Sequence, residues 1–536
     1  MADNMTTDRS GIRKCGIENT SGKIGGMSIK DLLEHRVRER PGRVLVKTGE
    51  IEYTWRDIDR GASAVVSELC ALGVGPGAHV ALCGANSVNW ILAFFAIQKI
   101  GAVAVLLNPQ LTPEEVARLS QLGDITYFCY GRSPVEDRKQ FLTQITDPQK
   151  SQIKAVLDIG DEIGFLRRPV TACPDVRTMP DDACLIIFTS GSTGTPKGVL
   201  LSASYVIASS DCCVQKLAMT EVDRLCAILP FFHIFGLTAV LLSCAICGSS
   251  MILPPSTRPD ELMSVLKNEQ CTLLHSIPTV IMRLANAPGF YPQLASSVRA
   301  SYLSGAPVSE AQLKMLMDKF PNSHFMRRYG LTEITPVSST DLADDIDHIL
   351  HTVGKPLDAM DVRIQDMQTG SFCPAGTQGE IVVKGGFMMC GYYKKAANEQ
   401  PFDEDGFLHT GDLGFLDAEG YLHYTGRAKE VIIRGGENIM PHEVASAIST
   451  HDNIVDVKVV GVPDEIYGEI VTAAVVLKEG MLFDGKEMRD FLMTKLAKYK
   501  VPAYFFIYDK LPSLANGKVD AVALKKEIIN RLAHIG

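Results

Sequence analysis

Between residues 185 and 198 the chain reads Leu185-Ile186-Ile187-Phe188-Thr189-Ser190-Gly191-Ser192-Thr193-Gly194-Thr195-Pro196-Lys197-Gly198, an apolar run that breaks into glycines and hydroxyls and closes on a cation. Glycine lets successive backbone N–H groups turn toward one point, hydroxyls add donors, and Lys197 adds charge, which together make a cradle for an anion. The spacing is not that of a Walker A loop, because Gly198 rather than Ser or Thr follows the lysine. A Gly/Ser/Thr loop is more often a plain hairpin tip, but a buried strand before it and a lysine after it favour the cradle. Four further places carry groups able to do chemistry: Glu333 after Tyr329-Gly330, Asp412 in Thr410-Gly411-Asp412, Arg427 after Gly426, and Lys518 after Asn516-Gly517. Taken singly, each has a bland reading as a turn former, a cap or a solvated surface charge.

These groups need a scaffold, and the rest of the chain supplies one. At 536 residues and roughly 150 per domain the chain predicts three to four folding units. Apolar residues make up 46% and charged residues 21%, so a large core forms and wholesale disorder is excluded. The formal charge of -9 argues against a general nucleic-acid binder, which needs a basic face. Short apolar strands alternate with helices: a buried helix at Trp90–Ala96, then a strand at Ala102–Leu106; a strand at Cys226–Leu229, then a helix at Leu237–Ile246; a strand at Met251–Leu253, then a helix at Asp260–Asn268. That rhythm predicts an α/β fold of layered subdomains with largely buried parallel sheets. After Gly420–Glu430 the pattern changes to a compact set, a helix from Pro441 followed by strands, a helix and a strand through Tyr508, which reads as a small α+β domain. The expected division is a loose tail over residues 1–27, a large domain over 28–428 and a small one over 429–536.

Fourteen cysteines sit mostly inside apolar runs and read as buried thiols; Cys244 and Cys247 form a CxxC with no second ligand pair beside it, which disfavours zinc. The first 27 residues have no apolar core of a signal peptide, and no run reaches the ~20 uninterrupted apolar residues that span a bilayer. A reducing, cytoplasmic setting is expected.

Segment 185–198 resembles the phosphate loop of the adenylate-forming (AMP-binding) superfamily, which includes acyl-CoA synthetases, luciferases and the adenylation domains of peptide synthetases. The resemblance continues in chain order through Tyr329-Gly330-Leu331-Thr332-Glu333, Gly379-Glu380-Ile381 with Gly391-Tyr392-Tyr393, Thr410-Gly411-Asp412, Gly426-Arg427-Ala428-Lys429, Arg434-Gly435-Gly436-Glu437-Asn438 and Asn516-Gly517-Lys518. It covers essentially everything from Ser28 onward. One such motif is weak; this many in order are specific. The resemblance implies two steps: a carboxylate attacks the α-phosphate of ATP and expels pyrophosphate, then a thiol, that of coenzyme A, displaces AMP from the acyl-adenylate. Such transfers depend on positioning and on compensated negative charge.

By resemblance, ATP meets Thr189, Ser190, Gly191, Ser192, Thr193, Gly194 and Lys197; Gly305, Ala306 and Pro307 pack on adenine, with Ser304 standing where relatives have glycine. Tyr329, Gly330 and Thr332 complete the nucleotide site, Glu333 with Thr189 holds Mg²⁺, and Asp412 takes the ribose hydroxyls. Arg427 approaches the nucleotide at the domain junction and Lys518 is the adenylation lysine. The same likeness makes Lys429 a hinge about which the small domain rotates, bringing Gly435, Gly436 and Glu437 to coenzyme A. Pro230-Phe231-Phe232-His233-Ile234-Phe235-Gly236 resembles the acid-pocket segment, with Phe232, His233 and Phe235 on one wall and His275 and Ser276 on another. Relatives that activate amino acids carry an aspartate there; none lies between Pro230 and Thr238, and an unpaired buried ammonium is costly, so an amino-acid substrate is disfavoured. The lining reads as aromatic and aliphatic, suited to a fatty or aryl acid. The expected partners are that acid, ATP and coenzyme A, with no nucleic acid. The alternatives are a ligase loading a carrier-protein phosphopantetheine and a catalytically degenerate nucleotide-binding scaffold.

Overall fold

The computed structural model describes residues 26–133, 137–160, 164–165, 168, 170, 176–189, 196–306, 308, 310–396, 399–434, 437–464, 466–514 and 518–533. Almost all of the N-terminal tail, Ser190, Gly191, Ser192, Thr193 and Gly194 of the cradle, Pro307, Gly435, Gly436, and Asn516-Gly517 lie outside the described residues.

The helix Val88–Ile100 shows how sequence sets the layering. Ser87 caps it by accepting from the Trp90 N–H, Gly101 ends it at φ 72°, and apolar residues occupy every face but a few positions. A helix apolar all round belongs between layers, and Trp90, Phe94 and Phe95 are at most 1% exposed. Beside it runs a seven-stranded sheet in the order Gly391–Tyr392, Lys197–Ser202, Ala183–Thr189, Val103–Leu107, His79–Cys83, Tyr127–Tyr130, Ala155–Asp158. The last five strands are mutually parallel; the first two add as an antiparallel edge. A second sheet orders Ile51–Thr54, Val44–Thr48, Ser250–Ile252 and Arg224–Cys226. Single bridges through Leu273 link it to Ala300–Leu303, His324–Leu331, Ile334–Ser339 and Lys355–Pro356.

Two expectations need correction. A third sheet, Met360–Gln365, Gly379–Gly385, Leu408–Leu416 and Leu422–Arg427, is antiparallel throughout, so parallel pairing does not dominate the whole large domain. Its first strand, Met360–Gln365, alternates buried and exposed residues, as strands with one solvated face do. The strand expected at Cys226–Leu229 is instead Arg224–Cys226. The Asn86 amide donates to the carbonyls of Ala227 (3.2 Å) and Leu229 (2.7 Å) and accepts from Phe231 N–H (2.8 Å), replacing the ladder just where the acid-pocket segment begins. Gly236 follows because a Cβ there would meet the Pro230 carbonyl oxygen at 2.1 Å.

Beyond residue 430 a separate sheet forms, Glu437–Ile439, Ile432–Arg434, Gly468–Leu477 and Ile454–Asp464, with Tyr504–Ile507 parallel to Gly468–Leu477. Its two apolar clusters draw only on residues from Ile432 to Leu532. The helix Ala521–Ala533, unforeseen from sequence, buries Leu524 and Ile528 in one of them. Twelve described cysteines are thiols, eight of them buried. Burial raises the pKa of Cys244 and Cys247 alike, and Cys247 Sγ donates to Ser249 at 3.0 Å, as expected of packing thiols. Among the described residues no helix is long and apolar enough to cross a membrane.

Candidate active site

Thr189 ends its strand and Lys197 opens the next, and the two are direct partners across the antiparallel pair. Thr189 therefore stands at the carboxyl end of a strand that pairs in parallel with Val103–Leu107, the end at which open α/β sheets bind ligands. Lys197 Nζ lies 4.7 Å from the centre of the Tyr392 ring. The Tyr392 hydroxyl donates to Glu333 Oε1 at 2.8 Å. Tyr392 is itself pinned, its strand pairing with Val199 and its N–H donating to Gln400 Oε1 at 2.7 Å. Glu333 occupies a two-residue turn closed by the Leu331–Ile334 pair, so its carboxylate is held at a hairpin tip facing Lys197's neighbour. Thr332, beside it in the turn, accepts at its backbone oxygen from Tyr205 Oη at 3.0 Å.

Asp412, expected in a tight turn, lies within the strand Leu408–Leu416, with Gly411 before it at φ 70°. It is 2% exposed. Its Oδ1 accepts from Arg427 Nε at 3.0 Å and its Oδ2 from the Tyr329 hydroxyl at 2.8 Å. Arg427 is its partner directly across the sheet. Burial raises the Asp412 pKa, against the opposing pull of Arg427 and Tyr329. Glu380 Oε1 accepts from Gly411 N–H at 2.8 Å, and Thr410 Oγ1 donates to the Ile381 carbonyl at 2.6 Å, so the Gly379-Glu380-Ile381 strand props the Asp412 strand.

Lys518 arrives from the other sheet system and joins this group. Its Cε stands 3.9 Å from where a Cβ on Gly305 would lie, and Gly305 holds φ 87°. Burial first, then Arg427, lowers the Lys518 pKa, while Asp412 opposes them. On the far side, burial and then Lys518 push the His233 imidazole down to about 4, so it is neutral near pH 7. Asp412, Arg427, Lys518 and His233 thus share one electrostatic neighbourhood, beside Gly305 and the half-buried Ala306. Lys429, in the single turn Ala428–Glu430, and Glu437 are exposed.

His233 Nδ1 accepts from Phe235 N–H at 3.3 Å, which turns the segment into its helix. Phe235 is 8% exposed and Phe232 half-buried. His275 and Ser276 are fully buried; His275 Nδ1 accepts from Tyr302 N–H at 3.2 Å and Ser276 Oγ donates to the Ile277 carbonyl at 2.9 Å. Beside the aromatic and aliphatic residues expected of the acid pocket lies a cation, Arg328. Arg328 is 5% exposed, and its guanidinium lies 5.6 Å from the Phe235 ring centre and 5.8 Å from that of Tyr302. Strand alternation sends Tyr329 toward Asp412 and its neighbour Arg328 to the opposite face. Three residues that touch the expected ones were not singled out from sequence: Glu380, Tyr392 and Arg328. The first two stand in motifs whose pattern marks them; Arg328 carries no signal beyond its place before Tyr329.

A family model described as "AMP-binding enzyme" matches residues 33–393, and one described as "AMP-binding enzyme C-terminal domain" matches residues 443–518. The chain belongs to the AMP-binding enzyme family, and it is built as the adenylate-forming enzymes are. It is 32% identical to a feruloyl-CoA synthase of Amycolatopsis sp, over 92% of this chain and 97% of that one. It is 32% identical to a 2-succinylbenzoate–CoA ligase of Bacillus licheniformis, over 91% and 97%. Against ATP-bound MatB from Rhodopseudomonas palustris, at 27% identity and covering 94% of this chain and 99% of that one, the TM-score is 0.84. Against the apo form of the same protein, with the same coverage, it is 0.75.

Proposed function

We propose that the protein is an AMP-forming acid–thiol ligase that converts a carboxylic acid into its acyl-adenylate with ATP and then passes the acyl group to coenzyme A. The observation that carries this reading is the meeting of Lys518 with Asp412, Arg427 and His233 across two separately folded sheet systems. Asp412, fixed by Tyr329 and Arg427, offers carboxylate oxygens to the ribose hydroxyls. Thr189, Lys197 and residues 190–194 between them cradle the phosphates. Gly305, Ala306 and Pro307 pack on adenine, alongside Tyr329, Gly330 and Thr332. Lys518 and Arg427 bring positive charge to the point where the acid's oxygen meets the α-phosphate, and neutral His233 stands at the acid carboxyl.

Glu333 and Thr189 supply oxygen donors, which suit a hard divalent cation that keeps most of its waters. The fixed Glu333 carboxylate at an outward hairpin tip fits Mg²⁺ held jointly with substrate phosphates. When bound, Mg²⁺ supplies charge neutralisation on the phosphate oxygens. Two chemistries at one site call for rotation of the C-terminal domain, with the boundary and hinge at Lys429, so that Gly435, Gly436 and Glu437 replace Lys518 and admit the pantetheine thiol. The higher TM-score against the ATP-bound form of MatB supports reading the present arrangement as the adenylating one. The body of the acid lies against Phe232 and Phe235, which suits a fatty or aryl chain, and the setting is cytoplasmic.

The test is acid-dependent ATP–pyrophosphate exchange across a broad acid panel, followed by thioester formation with free coenzyme A and, separately, with a holo carrier protein. Exchange with coenzyme A thioester as product bears the reading out. No exchange with any acid overturns it, and thioester on the carrier alone replaces coenzyme A as acceptor.

A further inference from the structure

Arg328 is a buried cation whose partners are all neutral. Its Nη1 donates to Cys213 Sγ at 2.8 Å, and its Nη2 donates to Thr335 Oγ1 at 3.1 Å and Ser209 Oγ at 3.4 Å. The Cys213 thiol is no counter-ion, since burial raises its pKa even against the pull of Arg328. Nearby Arg299 shows the ordinary solution: its guanidinium is paired with buried Asp223 at 2.8 Å. No described carboxylate forms an ion pair with Arg328. Two aromatic faces and three neutral acceptors offset part of the desolvation of a guanidinium, but far less than a carboxylate in bidentate register does.

A second donor lies in the same neighbourhood. Burial and then Arg328 push His275 down to about 3, so its ring is neutral. Because Nδ1 accepts from Tyr302 N–H, the ring proton sits on Nε2, which is buried and has no acceptor. The cluster is therefore rich in donors and short of acceptors. It also stands at a definite place along the acid. His233 lies under the influence of Lys518 at the reacting carboxyl, and Phe235, two residues on, lies against Arg328. Phe235 thus joins the two places: it follows His233 by two residues along the chain, and its ring meets the guanidinium.

We infer that the substrate is a dicarboxylic acid activated at one end, whose second carboxylate is received by Arg328 at the closed end of the acid pocket. The inference rests on the ligase reading above and names the substrate class for it. The apolar walls at Phe232 and Phe235 hold the body of the acid and Arg328 sets its far end. A pocket built around a buried charged donor rejects an analogue that lacks the acceptor, because the donor is left desolvated and unpaired.

The experiment compares matched acids by ATP–pyrophosphate exchange: α,ω-dicarboxylic acids of three to eight carbons against monocarboxylic acids of equal carbon number, and terephthalic against 4-methylbenzoic acid. The best diacid should exceed its matched monoacid in kcat/KM by about 100-fold or more. Arg328→Met should bring that ratio close to one, mainly through KM for the diacid, with KM for ATP unchanged, and Arg328→Lys should restore part of it. Preference of the natural chain for monoacids, a ranking that needs no variant to fold, overturns the inference while leaving the ligase reading intact. Equal loss on both acid types in Arg328→Met also overturns it, since that is the mark of a purely structural arginine. Exchange with no acid at all removes the ligase reading and this inference with it.

Discussion

The nucleotide-facing wall and the lysine that closes on it are built on opposite principles. The wall is anchored by sheet register: Asp412 and Arg427 are cross-strand partners, Tyr329 reaches Asp412 from a neighbouring sheet, and Tyr392 ties Glu333 to the strand that begins at Lys197. Nothing there moves without breaking hydrogen bonds between strands. Lys518 instead comes from the C-terminal domain, where its carbonyl accepts from Leu514 N–H at 2.7 Å, and burial with a neighbouring arginine disfavours its charge. A preorganised wall lowers the cost of orienting a triphosphate, whereas a delivered cation can be withdrawn when the second reaction needs the space.

That contrast breaks first at Lys518. Lys518→Ala should lower acid-dependent ATP–pyrophosphate exchange by about 1,000-fold, while thioester formation from a supplied acyl-adenylate stays within about twofold; equal loss in both half-reactions means the lysine is not specific to the first. Within the wall, Asp412→Asn should cost about 100-fold in kcat/KM for ATP, because it removes a charge-assisted acceptor and strands Arg427 and Tyr329. Stopped-flow or exchange assays at varied ATP would expose it, and an unchanged KM for ATP would detach Asp412 from the ribose. Tyr392→Phe should cost about tenfold and raise the Mg²⁺ concentration for half-maximal exchange, since it removes one hydrogen bond that aims Glu333.

Two pH experiments sharpen the same contrast. Lys518 acts as a cation, so a lowered pKa makes the exchange rate fall on the alkaline side below the usual lysine range; Lys518→Arg should lose that limb while keeping some activity. The smallest effect concerns stability. His275 titrates at 6.5 when unfolded and about 3 when folded, so between those values the unfolded chain binds the extra proton. Stability contributed by neutral His275 is whole above pH 6.5 and is lost as the pH falls toward 3, by at most about 1.4 kcal/mol per pH unit. Denaturant melts of the natural chain and His275→Gln from pH 7 to pH 4.5 should show a shallower slope in the variant.

Much of the site was legible because its chemistry is carried by short, contiguous patterns. The cradle needs neighbouring glycines and hydroxyls, and a strand–turn–strand such as Leu331–Ile334 needs only local spacing to present Glu333. Where reasoning along the chain failed, a distant side chain had taken over a local decision. Asn86 ends the strand at Cys226 from well over a hundred residues away. Thr410-Gly411-Asp412 looks like a turn until the Glu380 carboxylate and the Ile381 carbonyl hold it in a sheet. The antiparallel third sheet was missed for a related reason: its strands are told from parallel ones only by which neighbours they pair with.

By itself, then, the order of residues determined the family, the two-part layout and the kinds of groups that meet ATP, because glycine freedom, hydroxyl donors and fixed charges act over a few residues. Only the tertiary structure decided which charges are matched. Asp412 acquires Arg427 and Tyr329, Lys518 acquires their company from another sheet system, and Arg328 is buried among neutral partners. The physical reason is that desolvation and Coulomb interaction depend on distance through space rather than along the chain, so a cation's need for a counter-charge appears only once the fold has removed it from water.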